Sequence, residues 1–184
     1  MNVRKATLTD VPQMAQLVDY FAQRGEILPR PPGTIYESLR EWVVAEDGGR
    51  IVGCGSLLIV WADLAEIRSL VVAPGMQGRG LGRGMIERLL AEARQLGLPK
   101  VFALTRKEGF FRRLGFSLTQ RDALPRKVWK DCIHCPKFVG CDEVGVIKHL
   151  PLAGPLPAIP AAANGTDARP VSALQLSPPV DDEL

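Results

Sequence analysis

The first 150 residues alternate between apolar patterns typical of strands and apolar patterns typical of helices. Continuous or alternating apolar runs predict strands, and apolar residues spaced by three and four predict helices. Strands are predicted at 2–8, 42–46, 51–61, 65–72, 100–105, from 115 onward and at 144–150. Helices are predicted at 9–24, from about 36, at 81–96 and at 108–114. This order predicts an α/β or α+β sandwich on a mixed sheet.

Capping and turn residues indicate where several elements begin and end. Thr9 is expected to cap the first helix, and Thr34 with Glu37 matches the capping box of a second helix. The run Asp-Gly-Gly-Arg at 47–50 separates two apolar runs and predicts a tight hairpin turn. The strand from 51 should therefore return antiparallel to the strand that ends at 46.

Length and composition indicate one folded unit with an appendage. The chain has 184 residues, and its apolar fraction of 46% can fill a single core. Beyond Pro151 the sequence becomes rich in proline, alanine and serine and loses its periodicity. We expect a folded domain at 1–150 and a disordered tail at 151–184.

Charge and hydropathy exclude several classes of partner. A net charge of +3 does not indicate nucleic-acid binding. No run approaches the ~18 apolar residues of a membrane span. The N-terminus lacks the apolar core of a signal peptide. We expect a cytoplasmic protein that binds neither nucleic acid nor membrane and keeps its four cysteines reduced.

The most informative motif is a run of alternating glycines between a predicted strand and a predicted helix. Gly78, Gly80 and Gly82 follow Pro74-Gly75 and lead directly into the helix. Glycines leave backbone N–H groups accessible, and a helix N-terminus favours an anion such as a pyrophosphate. Arg79 and Arg83 add positive charge at the same end.

Two familiar phosphate loops do not match this run. A Walker loop requires Lys-Ser or Lys-Thr after its glycines, and neither pair follows here. A dinucleotide fingerprint requires Gly-x-Gly-x-x-Gly on the first strand of a parallel unit, whereas this run lies in mid-chain with another spacing. A glycine-rich turn without a ligand is the structural alternative.

The glycine run and its flanks resemble those of GNAT-type N-acetyltransferases. Gln77, Gly80 and Gly82 match the pattern Gln/Arg-x-x-Gly-x-Gly/Ala, and 66–72 and 111–116 match the family's preceding strand and late Leu-Gly-Phe corner. The resemblance implies acetyl-CoA as co-substrate and a central mixed sheet that is splayed and flanked by helices. It implies cofactor contacts at Leu70, Val71, Val72, Gln77, Gly78, Arg79, Gly80, Leu81, Gly82 and Phe111.

Further segments are similar to the acetyltransferase domain of the N-acetylglutamate synthase family. They are the segments at 26–30, 51–55, 65–67, 101–105 and 124–125. The resemblance implies acetyl transfer to the α-amine of L-glutamate or L-glutamine, the first step of arginine biosynthesis. Because the chain begins at the acetyltransferase domain, we expect a short form without the kinase-like domain on which feedback acts.

The resemblance also implies the catalytic residues. Glu66 matches the family's candidate general base, and because an ordinary carboxylate is a weak base, relay through a water is plausible. Thr105 matches a Ser/Thr near the thiol and is expected to donate a proton or a hydrogen bond. Phe111 stands where many GNAT enzymes have a tyrosine acid, so that acid is excluded. A salt-bridged strand carboxylate is the alternative for Glu66.

Substrate carboxylates call for arginine, whose planar fork binds them bidentately. Arg30 matches the family's substrate-binding arginine, with a solvated loop arginine as the alternative. Arg68 lies on the same strand face as Glu66 and either neutralises it or holds a substrate carboxylate. Further candidates for binding a carboxylate are Arg106, Lys107, Lys127 and Lys130. For these four, an ordinary surface position is the favoured interpretation.

A cysteine-rich insert at 132–143 is the least expected feature. Cys132 and Cys135 have metal-ligand spacing and Cys141 is a third candidate, with His134, His149 or Asp142 as a fourth. A structural zinc is open, but a reduced packing cluster or redox-sensitive thiols are favoured, and no metal ligand is assigned. Cys54 is expected in the core.

Three functions therefore remain open at this point. The first is an amino-acid N-acetyltransferase with a small-molecule acceptor. The second is a GNAT enzyme for another small amine or a protein amine. The third is a catalytically idle acyl-CoA-binding or metal-sensing module. A homodimer stays open for all three.

Overall fold

The computed structural model describes residues 1–120, 123–124 and 140–151. The strands are β1 (Asn2–Lys5), β2 (Trp42–Asp47), β3 (Arg50–Trp61), β4 (Leu64–Val72), β5 (Lys100–Thr105), β6 (Ser117–Thr119) and β7 (Val144–His149). The helices are α1 (Val11–Ala22), α2 (Pro32–Glu37), α3 (Leu81–Gln95) and α4 (Glu108–Arg112). Short 3-10 turns lie at Leu8–Asp10 and Leu39–Glu41.

The described strands form one mixed sheet in the order β1-β2-β3-β4-β5-β7-β6. Its neighbours pair antiparallel except for β4 and β5, which run parallel. Their parallel register joins Ala65 to Val101 and Glu66 to Phe102 and extends no further within the described residues. The sheet is therefore mixed and splayed between β4 and β5, which confirms the predicted fold class.

Helices cover both faces of the sheet. On one face α3 contributes Met85, Ile86 and Leu89 to a core shared with alternate residues of β2 to β5 and β7. On the other face α1 contributes Met14 and Val18 to a second core with β2, β3 and β4. Strand alternation sends successive residues to opposite faces, so both cores are filled from the same strands.

The ends of β1 and α1 differ from the prediction. β1 ends at Lys5, and α1 begins at Val11 rather than after a Thr9 cap. The Asp10 carboxylate accepts the Thr7 N–H at 2.8 Å and two Arg4 guanidinium bonds at 2.6 and 2.9 Å. These bonds close a 3-10 turn that separates the strand from the helix.

The second helix also begins earlier than predicted. α2 starts at Pro32, so Thr34 lies inside the helix and does not cap it. Proline is favoured in the first helical turn, because the N–H that it lacks has no partner within the helix there. The predicted hairpin turn is confirmed, with Gly48 and Gly49 at φ of 57° and 79° between β2 and β3. In the described part of the chain, no helix is long and apolar enough to span a bilayer.

Candidate active site

The site begins where β4 separates from β5. Between the pairs Cys54–Val71 and Ser56–Arg68, β4 has one more residue than β3, which defines a bulge. Ser69 lies in this bulge with a φ of 53°, the left-handed region. A Cβ on Gly55, opposite the bulge, would lie 2.8 Å from Leu70 Cδ1, so glycine there leaves room for Leu70. The bulge thus redirects the Leu70–Val72 end of β4 beside the opening between the strands.

The glycine-rich run forms the turn between β4 and α3. Gly75, Gly78 and Gly80 have φ values of 77° to 81°, which glycine adopts without strain. The Gln77 side chain donates to the Val72 carbonyl at 3.1 Å and joins the turn to the strand end. α3 follows from Leu81, and the first N–H groups of a helix have no partner within the helix. This arrangement can hold an anion at the mouth of the opening.

Two neighbouring phenylalanines take different places around this turn. A Cβ on Gly82 would lie 3.2 Å from Phe110 Cζ, so glycine there lets the half-buried Phe110 approach α3. Phe111 is buried in the core and packs edge-on against Phe116 at 5.2 Å between ring centroids. The structure brings Phe110 rather than Phe111 against the glycine run. A cofactor contact for Phe111 stays a prediction.

Glu66 and Arg68 lie on the face of β4 that is turned towards α1 and α2. Ala65 and Ile67, which alternate with them, pack in the core beneath α3. Glu66 pairs with Leu58 on one side and Phe102 on the other, so apolar side chains adjoin a half-buried carboxylate.

Arg68 forms an ion pair with Glu41, which lies in the 3-10 turn before β2. The Arg68 Nη2 to Glu41 Oε2 distance is 3.0 Å, and the Arg68 side chain is 13% exposed. The pair joins the strand beside the bulge to the segment after α2. Glu41 is a residue that the sequence reasoning missed, because a contact 27 residues apart leaves no local signal.

Thr105 is the last residue of β5 and is buried. It follows Val101 and Ala103 in the strand alternation, so it lies on the opposite face of the sheet from Glu66. Its Oγ1 accepts the Lys107 N–H at 2.9 Å. An accepting role leaves the hydroxyl's own hydrogen for donation, so the geometry permits both a turn-forming and a donor role.

The segment between α1 and α2 carries Arg30, which is half-buried. Arg106, which directly follows β5, donates to the Gly25 and Glu26 carbonyls of that segment at 2.8 and 2.7 Å. Arg106 is exposed, as expected for a surface residue, and it also joins the end of β5 to the segment after α1. Lys127 and Lys130 lie outside the described residues.

The cysteines fall into two groups. Cys54 is buried between β3 neighbours, and burial raises the pKa of its thiol to about 12, as expected for a core residue. Cys132, Cys135 and His134 lie outside the described residues, while Cys141 is partly exposed. Among residues 1–120, 123–124 and 140–151, no group of three potential metal-ligating side chains comes together.

Proteins similar to this chain are named as acetyltransferases. An uncharacterized N-acetyltransferase of Chlorobaculum tepidum is 36% identical over 148 residues, a match that covers 80% of this chain and 96% of the relative. An amino-acid acetyltransferase of Mycobacterium tuberculosis is 38% identical over 154 residues, covering 82% of this chain and 84% of the relative.

Solved structures share the fold. The crystal structure of Rv2747 from Mycobacterium tuberculosis in complex with CoA and NLQ matches with a TM-score of 0.70 and 36% identity, covering 82% of this chain and 100% of that one. N-acetylglutamate synthase from Neisseria gonorrhoeae, complexed with coenzyme A and N-acetyl-glutamate, matches with a TM-score of 0.73 and 28% identity. The match covers 82% of this chain and 35% of that longer chain.

The splayed sheet and the glycine-rich turn beside it define an N-acyltransferase that uses a coenzyme A thioester. The family pattern described as Acetyltransferase (GNAT) family matches residues 13–116. The chain belongs to the GNAT family of acetyltransferases and is an acetyl-CoA-dependent N-acetyltransferase.

Proposed function

We propose that this chain transfers the acetyl group of acetyl-CoA to the α-amine of L-glutamate or L-glutamine, the first step of arginine biosynthesis. The observation that carries the proposal is the placement of Glu66 and Arg68 on one face of β4, where β4 separates from β5. A carboxylate that accepts a proton and a guanidinium that binds a carboxylate are the two groups that an amino-acid acceptor requires. The relatives named amino-acid acetyltransferase support the same class of acceptor.

The turn into α3 fits the pyrophosphate of acetyl-CoA. Nothing lies within 4 Å of the Cβ positions of Gly78 and Gly80, so the backbone there is open to a ligand. Gln77, Arg79, Leu81 and Gly82 complete the proposed cradle, and Leu70, Val71 and Val72 line the pantetheine arm. Bound acetyl-CoA supplies a thioester carbonyl that an amine can attack.

Glu66 is the proposed general base. It removes a proton from the acceptor amine, directly or through a water, and its cross-strand neighbours Leu58 and Phe102 are apolar. Backbone N–H groups near Val71 stabilise negative charge on the thioester oxygen. The Thr105 hydroxyl donates a hydrogen bond to the departing thiol.

Arg30 and Arg68 are the proposed carboxylate ligands. Arg68, on β4, is held by Glu41 from the turn before β2. Arg30 lies on the segment between α1 and α2, whose Ile27 packs against the core on the α1 face of the sheet. An arginine that a partner already holds in place loses less conformational freedom when it binds a ligand. We place the reaction in the cytoplasm and the whole site within the domain at 1–150.

An acceptor screen tests the proposal. Thiol release from acetyl-CoA is measured with the common amino acids, polyamines and a lysine-containing peptide. Release with L-glutamate or L-glutamine well above the other acceptors is the expected result. Thiol release with only polyamines or the peptide would exclude an amino acid as the acceptor. Tight CoA binding without thiol release for any acceptor would exclude catalysis.

A further inference from the structure

Arg106 joins two segments that are far apart in the sequence. Its Nη2 donates to the carbonyls of Gly25 and Glu26, which lie 81 and 80 residues away in the segment after α1. Its Nη1 lies 3.7 Å from the Asp142 carboxylate, which precedes β7. One guanidinium therefore contacts two other parts of the chain, the segment after α1 and the residues before β7.

Arg106 lies on the acceptor side of the sheet. It follows Phe102 and Leu104 in the alternation along β5, and Phe102 pairs directly with Glu66. The hydrogen bond from the Lys107 N–H to Thr105 Oγ1 shapes the turn at which Arg106 leaves the strand. The guanidinium is thus directed from the end of β5 towards the segment between α1 and α2.

The bonds made by Arg106 differ in kind from the other backbone bonds of that segment. The Gly25 N–H donates to Ala22 and the Glu26 N–H to Phe21, which only continues the end of α1. The two bonds from Arg106 are charge-assisted, and they join the end of β5 to the carbonyls of this segment. They tie down the segment a few residues before Arg30.

We propose that Arg106 is a positioning residue that holds the segment bearing Arg30 over the acceptor side of the opening between β4 and β5. Arg106 sets the affinity for the acceptor without touching it. The inference rests on the proposed function in giving Arg30 the acceptor carboxylate. A direct carboxylate contact by Arg106 is the competing role, and the bonds to two carbonyls oppose it because they occupy the Nη2 donors.

Steady-state kinetics of Arg106→Met test the positioning role. With the acceptor that the wild-type protein uses, we expect the acceptor KM to rise about tenfold or more, because a small displacement of a binding group is costly. The acetyl-CoA KM is expected to stay within about twofold, because the turn into α3 lies elsewhere. Arg106→Lys keeps the charge without the planar fork, and we expect its acceptor KM to lie between those of the wild-type protein and Arg106→Met.

Arg112→Met is the matched control. Arg112 lies on α4, six positions from Arg106, and its ion pair with Glu108 is a local one on an exposed surface. The Arg112→Met variant loses the same charge and the same fork as Arg106→Met. Because the Arg112 ion pair is local to α4, we expect both KM values of this variant to equal those of the wild-type protein. An acceptor KM for Arg106→Met within twofold of the control, or an equal rise in both KM values, would overturn the proposal.

Hydrogen exchange measures the tether without any turnover. We expect the amides of residues 23–28 and 30 to exchange faster in Arg106→Met than in the wild-type protein or in Arg112→Met, with core amides unchanged. Equal exchange in all three proteins overturns the tether. Failure of the proposed function is a separate result, since it shows as a wild-type protein that acetylates no amino acid. Full Arg106→Lys activity with Arg106→Met inactive would favour the direct charge contact instead.

Discussion

Glu66 owes its proposed chemistry to its neighbours on the sheet. It pairs with Leu58 and Phe102, lies two residues from Arg68, and is half-buried on the face opposite α3. The strand register thus places the proposed base and the proposed carboxylate ligand on one side of the same strand.

Replacing Glu66 by Gln removes the base but keeps the size of the side chain. We expect kcat to fall by about 10²- to 10⁴-fold, the usual contribution of a general base. The acetyl-CoA KM should change little, because the glycine-rich turn is intact. Glu108→Gln, on the outer side of α4 where Glu108 pairs with Arg112, is the matched control, with wild-type kcat expected. Wild-type turnover by Glu66→Gln would remove Glu66 as the base.

At the scale of elements, α3 offers two glycines with equal backbone strain at its two ends. Gly80 precedes the helix with a φ of 81°, and Gly97 follows it with a φ of 73°. No atom lies within 4 Å of a Cβ built at either position. An alanine at either place costs about 1–2 kcal/mol through the left-handed backbone alone.

The pair Gly80→Ala and Gly97→Ala therefore separates strain from ligand contact. Both variants should lose a similar free energy of unfolding in denaturant titrations. Only Gly80→Ala should weaken CoA binding, by about tenfold or more in calorimetry, equivalent to about 1.4 kcal/mol, because its methyl group occupies the space before the helix N-terminus. Equal CoA affinity in the two variants would place the pyrophosphate elsewhere.

The junction of β1 and α1 depends on one carboxylate. The Arg4 guanidinium that is hydrogen-bonded to Asp10 lowers the pKa of that carboxyl to about 2 from its ordinary 3.8. The lowered pKa means that the ionised form stabilises the fold. The contribution is fully present above the ordinary pKa and is lost as the pH falls from about 4 through about 2.

Asp10→Asn tests this junction. At pH 7 the variant is expected to lose about 2 kcal/mol of unfolding free energy relative to the wild-type protein, and the difference should shrink towards zero near pH 2. Urea titrations between pH 2 and 7 measure it. Asp19→Asn, an exposed residue of α1, is the control, with a difference within about 0.5 kcal/mol. A pH-independent loss for Asp10→Asn would show that the charge is not the cause.

At the scale of the whole molecule, periodicity predicts the elements well where a strand or helix has one buried face. α3 and β5 lie where the spacing of their apolar residues predicts them, and the Gly48-Gly49 turn follows from local backbone preference. The start of α1 was predicted wrongly because Thr7 and Asp10 form a capping box around a 3-10 turn before the helix, and Arg4 pairs with the same Asp10 carboxylate.

The candidate site is only partly accessible to such reasoning. The glycine run and the Glu66–Arg68 spacing are local patterns, so both could be predicted from the sequence. The contacts of Glu41 with Arg68 and of Arg106 with Gly25 join residues far apart, and no local pattern encodes them. The choice between Phe110 and Phe111 depends on the direction in which α4 packs, which adjacent positions in a sequence do not reveal.

We propose that this acetyltransferase recognises its acceptor by the α-carboxylate next to the amine. The most direct test compares kcat/KM for L-glutamate and L-glutamine with that for 4-aminobutyrate, which lacks the α-carboxylate of glutamate. We predict a preference of about 10²-fold or more for at least one of the two amino acids, because a site built for a polar group rejects an analogue without it. A kcat/KM for 4-aminobutyrate equal to or above both amino acids would contradict the account.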